Sequence, residues 1–225
     1  MTDDPVYLRP TAHLDADHPA VQAFAAEAVA GRATPRERAV ALFYAVRDGI
    51  RYTPYGVDLS PEAMRASAVL AAGKGFCIPK ALLLTASARA VGIPARLGFA
   101  DVRNHLTSRR LLELMGGSDL FAWHAFSELF LDGRWLKATP AFDLGLCERF
   151  QVRPLEFDGT ADALFHPYDA TGRRHMEYVR QRGSYADLPL EEIRATFERL
   201  YPAWLDGRPD GDLHAEAAAE RSTAS

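Results

Sequence analysis

Gly73-Lys74-Gly75-Phe76-Cys77-Ile78-Pro79-Lys80-Ala81-Leu82-Leu83-Leu84 is the stretch whose reading decides the fold. Two glycines form a turn that delivers one cysteine to the first turn of a strongly apolar helix. Pro79 is tolerated there because a first-turn N–H has no helical partner. Leu82, Leu83, Leu84, Ala86, Ala88 and Val91 leave little polar face, and Gly92 followed by Pro94 supplies the stop, so the spacing predicts a central, buried helix. Lys80, one turn from Cys77, reads as a solvated residue of that helix. A helix start offers free N–H groups and the positive end of the dipole, and both favour thiolate over thiol. Cys77 is on this reading a nucleophile with a pKa below the usual value of about 8.5. Cys147 has no such setting and reads as a buried small residue.

Working outward, the second decisive stretch is a hairpin. Trp123-His124-Ala125-Phe126 belongs to an alternating strand from Leu120 to Leu131, Asp132-Gly133 is a favoured two-residue turn, and Arg134 to about Asp143 is the partner strand. Pairing Leu131 with Arg134 places Phe130 opposite Trp135, Glu128 opposite Lys137 and His124 opposite Ala141; the first two are an aromatic and an opposite-charge pair, which supports the register. His124 is then the general-base candidate, taking the thiol proton to give an imidazolium–thiolate pair and later protonating a leaving amine. The alternative is a satisfied core histidine. His105, His166 and His175 lack a partner motif, and the spacing of Asp158, Asp162 and Asp169 around His166 matches no metal-ligand pattern.

Before the cysteine the pattern is helical. Pro19 opens a helix with Val21, Phe24, Ala25 and Ala28 on one face, closed by Gly31. Thr34-Pro35-Arg36-Glu37 is a capping box, and the helix it starts carries Ala39, Leu42, Phe43 and Val46 inward to about Gly49. Ile50-Arg51-Tyr52 is a short extended piece, and Ser60-Pro61-Glu62 starts another short helix. After the cysteine helix come a strand from Ala95 to Arg103 and a connection from Asn104 to Gly117 with a short helical pattern. Leu155-Glu156-Phe157 and Met176-Glu177-Tyr178 read as strands, Leu190 to Trp204 as a helix, and residues 207–225 as a mobile, Ala-rich tail. One domain over residues 1–206 results, with 144–206 as an extension.

G-x-C opening a helix, Arg89-Ala90-Val91-Gly92-Ile93-Pro94-Ala95-Arg96, then His124-Ala125-Phe126 and a tryptophan hairpin together resemble the transglutaminase-like superfamily of papain-fold thiol enzymes, best from about Glu37 to Asp143. The resemblance implies an α+β, papain-like fold in which a helical N-terminal half packs its cysteine helix on an antiparallel sheet. It also implies acyl transfer on an amide, either a peptide bond or a glutamine side chain, through a thioester on Cys77, with water giving hydrolysis and an amine giving transamidation. That chemistry needs no metal or organic cofactor. The family usually carries an aspartate in D-P-T at the end of the second strand, where this chain reads Thr139-Pro140-Ala141. Asp143 keeps a carboxylate within reach by the register above, so Cys77, His124 and Asp143 form the expected triad; the alternatives are a Thr139-only dyad and Asp143 as a cap before Leu144. The backbone N–H of Cys77 is one oxyanion donor, and Tyr52 or Tyr55 is the second by analogy. The rival from another class is a non-catalytic protein-binding module.

Composition sets the remaining bounds. The chain has 225 residues, 48% hydrophobic, with 26 basic and 30 acidic side chains and a net charge of −4, which supplies no nucleic-acid footprint. No apolar run approaches the roughly 20 residues that span a bilayer, and the first residues do not read as a signal peptide. Two cysteines make no disulfide framework, and a reducing cytoplasm is the simplest reading. The expected partner is a peptide or protein amide, with oligomeric state and physiological substrate unread.

Overall fold

A computed structural model describes residues 4–169, 171–206 and 209–223. The N-terminal half is helical, as its caps dictate. Helix α1, Pro19–Ala28, buries Val21 and Ala25. Helix α2, Pro35–Gly49, begins with the reciprocal box: Glu37 N donates to Thr34 Oγ1 at 3.2 Å and Thr34 N donates to Glu37 Oε2 at 2.9 Å. Its four inward residues, Ala39, Leu42, Phe43 and Val46, are all buried.

Strand β1, Arg51–Tyr52, pairs in parallel with β2, Lys74–Gly75, just before the cysteine. Between them lies helix α3, Ala66–Ala72, closed by Gly73 in the left-handed region at φ 62°. The helix expected at Ser60-Pro61-Glu62 is instead a turn, held by Ala63 N to Ser60 Oγ and Met64 N to Ser60 O, and regular helix starts only at Ala66.

Helix α4, Cys77–Ala90, is buried from Ile78 to Arg89. That corrects the reading of Lys80 as solvated. With every face of α4 covered, Lys80 points at the C-terminus of α2, where orphan carbonyls need donors. Its Nζ donates to Arg47 O at 2.8 Å and Ile50 O at 2.5 Å. Burial pulls the ammonium down to about 7, against the favourable charges of Asp143 and Asp48.

The second layer is a four-stranded antiparallel sheet in the order β5-β4-β3-β6, formed by β3 (Ala95–Asn104), β4 (Leu120–Leu131), β5 (Arg134–Ala138) and β6 (Met176–Tyr185). Helix α5, Arg109–Leu114, lies between β3 and β4. The predicted hairpin register holds, with Leu131 opposite Arg134, Phe130 opposite Trp135 and Glu128 opposite Lys137. Asp132 and Gly133 both take positive φ, 50° and 82°, as a two-residue turn between twisted strands requires. The facing charges do not bond, however. Glu128 accepts from Arg96 Nε at 2.5 Å across the other side of β4, and Lys137 lies over the Phe126 ring.

Strand β5 stops at Ala138 rather than near Asp143, because Pro140 has no N–H to continue a ladder and Thr139 N already donates to Ala163 O. The ladder therefore ends at Ser127 with Ala138 and never pairs His124 with Ala141. Asp143 instead caps helix α6, Leu144–Phe150. Residues 155–157 are not a strand, whereas the strand expected at Met176 extends to Tyr185. The predicted helix from Leu190 divides at Pro202 into α7, Leu190–Leu200, and α8, Pro202–Leu205. Within the expected tail, residues 207, 208, 224 and 225 lie outside the described residues, but Leu213–Thr223 forms helix α9 with Leu213 and Ala217 buried. Helix α4 sits between the sheet and helices α1, α2 and α3, and this places Cys77 at the edge where the two layers meet.

Lys80 makes stability pH-dependent. Its folded value near 7 lies below its ordinary 10.5, so between these values the unfolded chain holds a proton the folded chain lacks, and stability rises with pH. Lys80→Met should lose about 2 kcal/mol through two orphaned carbonyls. The gap between wild type and variant should widen from pH 7 to 9 by up to about 1.4 kcal/mol per pH unit in denaturant titrations. A gap independent of pH would contradict this.

Candidate active site

Three local devices aim Cys77. Gly73 ends α3, β2 fixes the approach, and Phe76 is extended at the N-cap, so Cys77 is the first residue of α4. Gly75 is required by close approach, since a Cβ there would stand 2.7 Å from Pro79 Cβ. The N–H groups of Ala125, of Ile78 and of Cys77 itself are directed at the sulfur. Ala125 is the neighbour of His124, so the chain brings the cysteine helix to the histidine strand.

The electrostatics run opposite to the expectation. Burial pushes the Cys77 thiol up to about 11, more than the three N–H groups pull it down. Burial likewise pushes His124 down to about 3; the side chain is 5% exposed, and its Nε2 is buried with no hydrogen-bond partner among the described residues. Helix-end effects are worth about 1 kcal/mol, whereas burial shifts a group by several pKa units. Both shifts favour a neutral thiol and a neutral imidazole at rest over the ion pair expected from the helix start, with Cys77 itself only partly buried.

Two rings cover the imidazole. Phe165 lies 5.2 Å and Tyr178 6.3 Å from its centroid. Tyr178 is also near enough to Cys77 to feel a charge on it, and its hydroxyl accepts from Phe165 N at 3.4 Å. Thr139 is buried beside the Tyr178 hydroxyl, with its Oγ1 short of full hydrogen-bond geometry. Of the two tyrosines named from the sequence, Tyr52 is at the site: it is buried, close to Cys77, and held well above its ordinary pKa by burial, so it remains a donor. Tyr55 is turned away, bonding Glu216 on α9.

Asp143 is not brought to His124. Its Oδ1 accepts from Leu146 N at 2.9 Å, its Oδ2 from Tyr52 N at 2.9 Å, and His214 Nε2 lies 3.3 Å from Oδ2. The reach expected from the register fails because the chain leaves the sheet at Pro140 and Asp143 becomes the α6 cap. What it does instead is tie the backbone of Tyr52 to α6. Cys147 is buried in α6 as expected, and burial raises it to about 12. Among the described residues no group of three His, Cys, Asp or Glu side chains could hold a metal ion, and no helix is long and apolar enough to cross a membrane.

Sequence reasoning missed how His124 is aimed. Trp123, one residue before it, is left-handed at φ 59°, and the β3–β4 register shifts there, from Ala100 opposite His124 to Val102 opposite Phe121. This is a bulge that turns the strand at the site. It is held by Asp101, whose Oδ1 accepts from Trp123 N at 3.1 Å and from Arg182 Nε at 2.5 Å. Arg182 covers the Trp123 ring at 4.5 Å, and Trp123 Nε1 donates to Thr196 Oγ1 at 3.0 Å. Asp101 falls on the inward face of β3 in the sequence, and a carboxylate there was the available signal.

The family model of the transglutaminase-like superfamily matches residues 22–140. Two solved structures are similar in part. One is described as a "Putative Cysteine Protease from Cytophaga hutchinsonii", at 16% identity and TM-score 0.49, covering 82% of this chain. The other is a "putative protease from Parabacteroides distasonis", at 15% identity and TM-score 0.37, covering 57% of this chain. The chain spans 55% of the length of the first and 26% of the second. No curated protein sequence matches.

Asp143→Ala removes a helix cap and the acceptor for Tyr52 N–H together. It should lower stability by about 2 kcal/mol, and Asp143→Asn, which keeps one acceptor oxygen and sets its NH2 against the other N–H, by an intermediate amount. Chemical denaturation measures both. Equal stability of wild type and Asp143→Ala would remove the tie assigned here.

Proposed function

Since the chain belongs to the transglutaminase-like superfamily, we propose that it performs thiol-dependent acyl transfer on amides, with Cys77 as nucleophile and His124 as general base. The observation that carries this reading is the Cys77 sulfur at a helix start, met by the N–H of Ala125 beside His124. In the first half-reaction the thiol proton passes to a ring nitrogen of His124 as the sulfur bonds to the carbonyl carbon. The oxyanion is met by the Cys77 N–H and the Tyr52 hydroxyl. Collapse breaks the C–N bond, the amine leaves with the proton from the imidazolium, and a thioester remains. Water then gives an acid, or a second amine gives a new amide.

Asp143 acts in this scheme on Tyr52 rather than on His124. Thr139, beside the Tyr178 hydroxyl, occupies the sequence position at which the family carries its aspartate. Without a carboxylate on the ring, the proton transfer is coupled to attack rather than completed beforehand.

The rival reading, a non-catalytic binding module, draws on one observation: a histidine buried neutral, with Nε2 unpartnered. Turnover separates the two. Labelled peptide amides and glutamine peptides with an amine acceptor should give product with wild type, and Cys77→Ala or His124→Ala should lower kcat/KM by at least about 10³. No product and no acyl adduct on Cys77 with any of them would leave the binding module. For the active enzyme, the free-enzyme values near 3 and 11 bracket a single protonation state, so kcat/KM should be flat between pH 5 and 9. A bell centred near neutrality would contradict the neutral pair.

A further inference from the structure

Residues 163–169 and 171–178 build a pocket that the acyl-transfer chemistry does not itself require. It has a volume of about 340 Å³, within the usual range for small-molecule sites, and its apolar walls are Phe165, Pro167, Tyr168, Met176 and Tyr178. Phe165 and Tyr178 are the two rings that cover His124, and Tyr178 also neighbours Cys77. An occupant would therefore be one aromatic ring away from both groups of the pair. Tyr168 keeps a large ring 54% exposed at the rim.

The walls are held by internal bonds rather than by an occupant. Ala163 N donates to Lys137 O at 2.7 Å along the edge of β5, and His175 N donates to Pro167 O at 2.8 Å. Asp169 is buried and takes Arg173 Nε at 2.7 Å. Of the other charges on the pocket, Glu177 lies 3.4 Å from His105, which compensates it only when the imidazole is protonated. Arg174 has no carboxylate partner among the described residues, although Arg173 beside it does. The pocket thus sets aromatic walls beside the Arg174 guanidinium, which can meet the carboxylate of a flat apolar group, with Glu177 as the other charge on the lining.

We propose that this pocket is the acyl-donor site, taking a bulky aromatic or aliphatic side chain with a carboxylate beside it that Arg174 meets. The inference rests on the acyl-transfer reading for what the site serves, but occupancy can be measured without turnover. The carboxylate comes either from an acidic side chain or from a chain end, and the probes separate these sources.

Fluorescein-labelled peptides are titrated into Cys77→Ala protein by fluorescence anisotropy. They carry Phe-Glu or Phe-Lys with amidated ends, Phe with a free or an amidated end, and Gly-Glu with an amidated end. Phe-Glu should bind at least 10-fold tighter than Phe-Lys and than Gly-Glu, if the source is a side chain. A free-end Phe should exceed its amide by a similar factor, if the source is a chain end. Arg174→Glu, an exposed position that should not disturb folding, should reverse the charge preference. Met176→Trp should fill the pocket and weaken Phe-Glu at least 10-fold while leaving Gly-Glu within twofold. Equal affinities for Phe-Glu and Phe-Lys together with equal affinities for free and amidated ends would overturn the assignment, as would an Arg174→Glu protein with unchanged preference. Selective binding without turnover by wild type supports the pocket and sinks the acyl-transfer reading. Turnover without selective binding does the reverse.

Discussion

Helix α4 is covered on every side, and the rest of the molecule is arranged around the polar groups this forces inward. A helix of Ala and Leu could be buried without consequence, but this one carries Lys80, Thr85, Ser87 and Arg89 in the dry interior. A buried donor without an acceptor costs roughly 1–3 kcal/mol, and of these four only Ser87 Oγ lacks a partner among the described residues. Lys80 closes the C-terminus of α2 through Arg47 O and Ile50 O. Thr85 Oγ1 donates to Ser127 Oγ on β4 at 2.9 Å, and that hydroxyl donates back to Ala81 O. Arg89 reaches Ala95 O at the start of β3, Arg9 O in the N-terminal segment and Ala186 O after β6. These bonds join helical layer, sheet and termini to one element, and they fix where its first residue, Cys77, can be.

The burial that fixes the cysteine also sets its chemistry. Moving a thiolate and an imidazolium out of water opposes both charges, and the N–H groups at the helix start recover only part of that. Burial therefore favours the neutral pair at rest, and in the proposed reaction charge would separate only on attack. The surrounding groups are fixed as well: Tyr52 is held through its backbone by Asp143, and the histidine strand is turned by the left-handed Trp123 on Asp101. The strain at Trp123 is sustained by partners on three elements, Asp101 on β3, Arg182 on β6 and Thr196 on α7.

What was legible in the sequence was local. The capping box at Thr34 and Glu37, the turn at Asp132-Gly133 with its register, and the helix opening at Cys77 each depend on residues a few positions apart. What was not legible depends on distant partners. Lys80 has the composition of a solvated residue, and only the full enclosure of α4 turns it inward. Asp143 had the right type and a plausible spacing, but Pro140 ends the strand and Leu146 and Tyr52, 91 residues upstream of Asp143, claim its oxygens. Tyr178 and Phe165 belong to a part of the chain with weak periodicity, and nothing in their local pattern marks them as the cover of His124. Helix α9 likewise looked like a polar tail, because its contacts with Tyr55 and Asp143 cross the whole chain.

The central claim is that burial keeps Cys77 a neutral thiol at rest beside a neutral His124. It is tested most directly by following thiolate ultraviolet absorbance against pH in wild type minus Cys77→Ala, which cancels Cys147 and the tyrosines. The account predicts no thiolate from Cys77 at neutral pH and a signal that rises only toward about 11, well above the ordinary value of about 8.5. A thiolate signal already present at pH 7, falling away only in acid, would mean that the helix start and His124 outweigh burial, and would contradict it.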